Sequence, residues 1–160
     1  MLRTFIPEKH LIIRTTWVFG QEARGKNFVY SVVKNLSLGK EMKVPSDISA
    51  TPTYVKDLAK CILDLIEKGY WGIFNITGGQ CMSRMEFAKN IAIVFDLNSS
   101  LIKEVKQEMM QLPANRPLRT GLKIEKIKKA INPNLTSLMD ALKETRLEIE
   151  KAGQLTHAVK

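Results

Sequence analysis

The sequence is poor in the residues from which metal centres and cross-links are built. Its 160 residues include two cysteines and two histidines. Cys61 and Cys81 form no CxxC or other ligand spacing, and His10 and His157 stand far apart, so we expect no metal site and no disulfide framework. Both thiols read as reduced and mostly buried, which favours a cytoplasmic protein. No apolar run approaches the ~20 residues needed to span a membrane, and the opening Met1-Leu2-Arg3-Thr4-Phe5-Ile6-Pro7 does not read as a secretory signal. Aromatic residues are scarce, at 7%, and no RNP-like or finger-like pattern is present to stack on or read bases. Neither G-x-G-x-x-G nor G-x-x-G-x-x-G occurs, which excludes a dinucleotide pyrophosphate turn within this chain.

What remains is ordinary globular material, 44% hydrophobic and 26% charged. The length suits a single domain, which we place at residues 1–153, with a frayed tail at 154–160. The net charge is +9, yet the basic residues are spread from Arg3 to Lys160. The densest segment, Lys123-Ile124-Glu125-Lys126-Ile127-Lys128-Lys129, spaces its isoleucines helically and leaves its lysines on the wet face. We therefore expect no nucleic-acid partner and no membrane partner, while part of this charge remains suited to a diphosphate ligand.

Along the chain, strand and helix patterns alternate. His10 to Gly20 opens with a β-branched run ending in glycine and reads as a buried strand of the parallel kind, covered on both faces. Asn27 begins a helix with Phe28, Val29, Val32, Val33 and Leu36 on its apolar face, closed by Gly39. Met42 to Val44 is a short strand. Pro52-Thr53 starts a second helix with Val55, Leu58, Ala59, Ile62, Leu63 and Ile66 on one side. Trp71 to Ile76 is a second buried strand, Thr77-Gly78-Gly79 a turn, and Ser83-Arg84-Met85-Glu86 a capping box opening a third helix. Leu101 to Val105 is a small strand, Lys106 to Thr120 a polar connection, and two amphipathic helices follow, separated by Asn132-Pro133-Asn134. The class is α/β. Two doubly buried strands need neighbours on each side, so the chain is expected to supply the edge of a sheet whose centre lies elsewhere.

Several segments, in order, resemble the dTDP-4-dehydrorhamnose reductase family of extended short-chain dehydrogenases/reductases. They are Arg14-Thr15-Thr16-Trp17-Val18-Phe19-Gly20, Gly25-Lys26-Asn27-Phe28-Val29, and Asp47 to Thr53 followed by Asp57-Leu58-Ala59. The series continues with Gly72 to Gly79, Ser83 to Ala88, and Arg116-Pro117-Leu118-Arg119-Thr120-Gly121-Leu122 with Lys126. Ile48 and Ala50 depart from the family's D-Q-x-G. The resemblance implies the C-terminal portion of a Rossmann-like fold, with edge strands of the sheet and a small, mostly helical substrate-binding subdomain. It also implies that the glycine-rich turn and the catalytic Tyr-x-x-x-Lys belong to a half absent from this chain. The literal Tyr30-Ser31-Val32-Val33-Lys34 follows the tryptophan strand, where the family has an ordinary helix, and reads as coincidence.

The complete enzyme, by the same resemblance, uses NADPH or NADH to reduce the 4-keto group of a dTDP-linked deoxysugar to give dTDP-L-rhamnose. This chain is then expected to hold a nucleotide-diphosphate sugar, to bind no cofactor tightly by itself and to be inactive alone. Its partner is a separate chain carrying the dinucleotide-binding half, or a second copy. Trp17, Asn27, Phe28 and Arg116 are the candidate substrate contacts, and Thr15 and Thr16 the candidate contacts to the nicotinamide. Each has a plainer alternative: core aromatics for Trp17 and Phe28, a helix cap for Asn27, a salt bridge for Arg116, strand hydroxyls for the threonines. Alternatives for the whole chain are an epimerase or dehydratase half, or a non-catalytic module resembling the regulatory subunit of methionine adenosyltransferase.

Overall fold

The computed structural model describes residues 9–110 and 117–154. The polar connection is described on either side of 111–116, and Arg116 lies outside the described residues.

The expected strand over His10 to Gly20 is two strands with a break between them. β1, Leu11–Arg14, ends where the chain turns at Trp17 (φ 41°), and β2, Val18–Phe19, departs toward a different partner. A positive φ at a bulky aromatic costs of order 1–3 kcal/mol and persists only where surrounding contacts enforce it. After α1 (Phe28–Ser37) come β3 (Met42–Pro45), β4 (Ser49–Ala50) and β5 (Thr53–Tyr54). Pro52-Thr53 is thus not the helix start. Thr53 and Tyr54 pair in parallel with Val18 and Phe19, and α2 (Val55–Glu67) begins one residue later.

β6 (Gly72–Asn75) lies parallel to β1, pairing Leu11 with Gly72 through Arg14 with Asn75. Side chains alternate across a strand. Leu11, Ile13, Phe74 and Ile76 therefore share a face, packed under Cys61 and Leu65 of α2 and Ile127 of α4 (Glu125–Ile131). On the opposite face Ile12 and Ile73 are half-buried, as Leu11 and Ile13 are, but among the described residues they join neither core cluster. The apolar stripe of α2 is also split. Cys61 and Leu65 face the sheet, whereas Val55, Leu63 and Ile66 are exposed. Cys81 is exposed too, contrary to expectation.

The outer edge of β6 is occupied. The Lys126 ammonium donates to the Ile73 carbonyl (2.7 Å) while lying 4.0 Å from the Phe74 ring centre, and the Asn75 amide donates to the Lys123 carbonyl (2.9 Å). Among the described residues no strand pairs with the outer edge of β1.

The second core is built around α3 (Arg84–Val94), which follows β7 (Met82–Ser83). Met85, Phe87, Ala88, Ile91, Ala92 and Val94 are all buried, and only a stripe along Glu86, Lys89 and Ile93 faces outward, so most of this helix is packed inside the subdomain. It is enclosed by α1, by α5 (Leu138–Lys151), and by β3 paired in parallel with β8 (Ile102–Val105). The capping box forms as expected: the Ser83 hydroxyl accepts from the Glu86 N–H, and the Glu86 carboxylate accepts from the Ser83 N–H. β4 pairs antiparallel with β7, and the Ser49 N–H donates to the Leu118 carbonyl, docking the end of the polar connection. Ile48 and Ala50, the departures from D-Q-x-G, are both buried, and the Asp47 carboxylate accepts from the Gln107 N–H (3.0 Å).

Gln154 is docked rather than frayed. Its N–H donates to the Ile149 carbonyl and its side chain bonds both the Tyr30 hydroxyl (2.5 Å) and the Glu22 carbonyl. Residues 155–160 lie outside the described residues. The Tyr30 hydroxyl thus has a structural role in closing the loop before α1.

Candidate functional site

At the C-terminal end of β1, three elements distant in sequence converge on one aromatic cluster. Trp17 comes from the β1–β2 break, Phe28 from the first residue of α1, and Arg84 and Phe87 from the first turn of α3. The Trp17 and Phe87 rings stack at 10° with centres 6.1 Å apart, and Phe28 lies 5.7 Å from Phe87. The Arg84 guanidinium carbon is 4.7 Å from the Trp17 ring centre and 3.7 Å from that of Phe28. Arg84 and Phe87 are three residues apart on one helix, so they present to Trp17 from a common face. Trp17 and Phe28 both remain half-buried.

A threonine ladder holds this arrangement from below. The Thr16 hydroxyl donates to the Thr51 carbonyl (2.7 Å) and the Thr53 hydroxyl to the Thr16 carbonyl (2.7 Å). The Thr15 hydroxyl donates to that of Thr53 (3.2 Å), and the Thr53 N–H to the Trp17 carbonyl (3.2 Å). These bonds fix the backbone on both sides of Trp17 and explain how its unfavourable φ is sustained. The side chain of Thr53 is buried, whereas Thr15 is exposed at the strand end.

Gly78 and Gly20 permit the close approaches beneath the site. The Gly78 N–H donates to the Pro52 carbonyl, and a Cβ on Gly78 would lie 2.2 Å from that oxygen. Gly20 (φ 146°) faces Val55, and a Cβ there would meet Cγ1 at 2.4 Å. Beside them a cavity of about 190 Å³ is lined by Phe19, Pro52, Tyr54, Gly78, Met82 and Leu138 among others. It adjoins the aromatic cluster through Phe19, whose ring lies 5.5 Å from Phe87.

Asn27 is the helix cap. Its carbonyl oxygen accepts from the Val29 N–H (3.0 Å) and its amide donates to the Gly20 carbonyl (2.9 Å), so it ties the start of α1 to the end of β2. Of the residues expected from sequence, Trp17 and Phe28 share one cluster, Thr15 and Thr16 adjoin it, and Asn27 supports it. Sequence reading missed Arg84 and Thr53. Arg84 carried a signal: a cation in the first turn of a helix faces the positive end of the dipole, a mismatch of ~0.3–1 kcal/mol that asks for a compensating partner. Thr53 carried none, because two-residue strands have no periodicity.

Among the described residues no group of three His, Cys, Asp or Glu is placed to hold a metal, and no helix is long and apolar enough to cross a membrane.

Residues 5–150 match the family model of the RmlD substrate binding domain. The chain is 29% identical to a dTDP-4-dehydrorhamnose reductase of Aggregatibacter actinomycetemcomitans, over 94% of this chain and 54% of that protein. It is 34% identical to the spore coat polysaccharide biosynthesis protein SpsK of Bacillus subtilis, over 61% of this chain and 33% of that protein. Among solved structures, dTDP-4-dehydrorhamnose reductase from Bacillus anthracis in complex with NADP superposes with a TM-score of 0.80 at 26% identity. That match covers 91% of this chain and 52% of the other. The chain spans about half the length of these two reductases or less than half, in the case of SpsK, and it takes the fold of the portion it covers, the C-terminal part of an extended short-chain dehydrogenase/reductase. It belongs to the RmlD substrate binding domain family.

Proposed function

We propose that this chain is the substrate-binding part of an NAD(P)H-dependent sugar-nucleotide reductase, one that converts dTDP-4-keto-6-deoxy-L-mannose to dTDP-L-rhamnose. The observation that carries the reading is the half-exposed Trp17 ring, held in a strained backbone conformation at the C-terminal end of a parallel strand. Open α/β sheets bind their ligands at such strand ends, and strain sustained by a dedicated hydrogen-bond ladder marks a position kept for function.

In this reading Trp17 and Phe28 supply apolar surface to the sugar and its nucleotide, with one side of each ring already packed. Asn27 sets the entry of α1 and thereby the position of Phe28, while the threonine ladder fixes Trp17. Arg116 belongs to the proposed site by resemblance. The nicotinamide supplies hydride to the 4-keto carbon when the dinucleotide is bound. The residues present fit only the margin of that cofactor: Thr15 is exposed at the strand end, and the chain has no glycine-rich turn for the pyrophosphate. In this reading the dinucleotide and the catalytic tyrosine come from a dinucleotide-binding half outside these 160 residues, and the 160 residues alone are expected to be inactive. Their contribution is orientation, which reaches ~7–11 kcal/mol in favourable reactions.

Two features support such a partner half. Among the described residues the outer edge of β1 pairs with no strand, and Ile12 and Ile73 on one face of the sheet belong to neither core cluster. A parallel sheet is normally covered on both faces.

Titration of the 160-residue chain with dTDP-rhamnose, followed by Trp fluorescence and chemical shifts, tests the reading. Saturable binding that shifts the Trp17 indole, and is lost in Trp17→Ala, is expected. A folded chain that binds no dTDP compound at millimolar concentration would refute it.

A further inference from the structure

We infer that Asp57 is a positioning residue: its grip on Thr136 sets the angle between the two cores and so aims a bound sugar at the end of the sheet. The inference rests on the proposed reading of the site and adds to it a residue that acts through another.

The two core clusters are separate. Ile13, Leu58, Ile76 and Leu135 belong to the sheet core, whereas Trp17, Tyr54, Met82 and Leu138 belong to the helical core around α3. Among the described residues the chain therefore crosses between the cores at four places: between Ile13 and Trp17, Tyr54 and Leu58, Ile76 and Met82, and Leu135 and Leu138. The first crossing divides the proposed site. Trp17 and Phe28 pack on the helical core, while Thr15 stands just beyond the end of β1, on the sheet. The angle between the cores is then the angle at which a sugar on Trp17 and Phe28 meets the sheet end.

Apolar packing alone leaves that angle loosely set. The cavity of about 190 Å³ lies where the cores meet, its lining drawn from Tyr54, Leu138 and Ala141 of one and from Asp57 and Leu135 of the other. A void removes the contacts through which a close-packed interior transmits position. Polar ties take their place. The threonine ladder joins the first crossing to the second, and the Gly78 N–H on the Pro52 carbonyl joins the third. The fourth is held by Asp57, in the first turn of α2. One carboxylate oxygen accepts from the Thr136 N–H and the other from the Thr136 hydroxyl, both at 2.8 Å. Two bonds to one residue fix direction as well as distance. The neighbouring Lys56 reaches Glu144 and Glu148 of α5, but these pairs lie at the surface, where solvent and salt weaken them. An acid early in a helix also complements the dipole. That effect needs no partner, yet here both oxygens are committed to a residue 79 positions on.

Residual dipolar couplings of the 160-residue chain measure the angle directly. In wild type one alignment frame should fit the amides of β1, α2 and β6 together with those of α1, α3 and α5. In Asp57→Ala each set should still fit by itself, but the two should no longer share a frame. Asp57→Asn, which can accept from the Thr136 N–H and donate to its hydroxyl oxygen, should restore the common frame. Titration with dTDP-rhamnose should give Asp57→Ala the affinity of wild type, since Trp17 and Phe28 stay together on one core. Co-expressed with the dinucleotide-binding half of a related reductase, the same variant should lose roughly 10- to 100-fold in kcat, the cost of a misplaced reactant. Thr136→Val removes only the hydroxyl bond; it should part the frames less, and it carries the test should Asp57→Ala not fold. If wild type already needs two frames, or folded Asp57→Ala keeps one, the grip does not set the angle and the inference is overturned. Frames that part without loss of kcat overturn it too, as do equal losses of affinity and turnover, which would make Asp57 part of the binding surface. If folded wild-type chain binds no dTDP compound, the sugar-nucleotide reading fails and the aiming role with it, whereas the frames still report the grip.

Discussion

Two buried groups give the fold a dependence on alkaline pH. The Tyr54 side chain is 4% exposed, and burial, followed by the adjacent Glu144 carboxylate, pushes its phenol up to about 12. Burial likewise pushes the Cys61 thiol up to about 11, with Asp57 and Asp64 adding to the rise. Both groups keep their protons in the folded state after the unfolded chain has lost them. Their contribution is whole below the ordinary thiol range, near pH 9, and falls as pH climbs through 9–11 for the thiol and 10–12 for the phenol. The loss is on the order of 2 kcal/mol per group at full titration. Urea unfolding at a series of pH values should show it, and Tyr54→Phe should flatten the part above pH 10. Parallel curves for wild type and this variant from pH 9 to 12 would contradict the assignment.

At the scale of elements, the close packing of the Thr77–Gly79 turn on Pro52 makes a sharp comparison available. A Cβ at Gly78 would sit 2.2 Å from a backbone oxygen that cannot move aside, whereas one at Gly79 would meet nothing within 4 Å. Gly78→Ala is expected to destabilise by about 1–3 kcal/mol and to disturb the ladder at Thr51 and Thr53. Gly79→Ala should stay within ~0.5 kcal/mol. Denaturant midpoints for the two variants, with Trp17 fluorescence as the local report, decide the matter.

The same turn shows what was legible in the sequence. Glycine after a strand gave the turn, but its reason, a backbone contact 26 residues back in the chain, is invisible to local pattern. The caps at Asn27 and Ser83 were legible because capping is decided within four residues. β1 and β6 were legible as apolar runs, though their pattern could not say that Ile12 and Ile73 stand outside both core clusters. β2, β5 and β7 were not legible, since two residues carry no period. The aromatic cluster was half legible: motif position pointed to Trp17 and Phe28, while Arg84 joined them only through the packing of α3 between α1 and the β1–β2 break.

For the whole molecule, the half-buried Ile12 and Ile73 beside the outer edge of β1 mark where a second half is proposed to dock. Ile12→Lys with Ile73→Lys should leave the stability of this chain within about 1 kcal/mol, because neither residue belongs to a core cluster. The double variant should nevertheless abolish rescue of NAD(P)H oxidation when this chain is co-expressed with the dinucleotide-binding half of a related reductase. Undiminished rescue by the double variant would place the docking surface elsewhere.

The lysine and asparagine that close the outer edge of β6 have a geometrical consequence. A sheet able to recruit strands on both sides can extend without limit, copy upon copy. Here Lys126, on the Ile73 carbonyl, and Asn75, on the Lys123 carbonyl, occupy one side, so among the described residues recruitment through this sheet is open only beyond β1. Two copies meeting there would exhaust each other's capacity and form a closed pair. Among the described residues the β1–β6 sheet thus has a single valence: it can be completed once, by one strand-bearing neighbour.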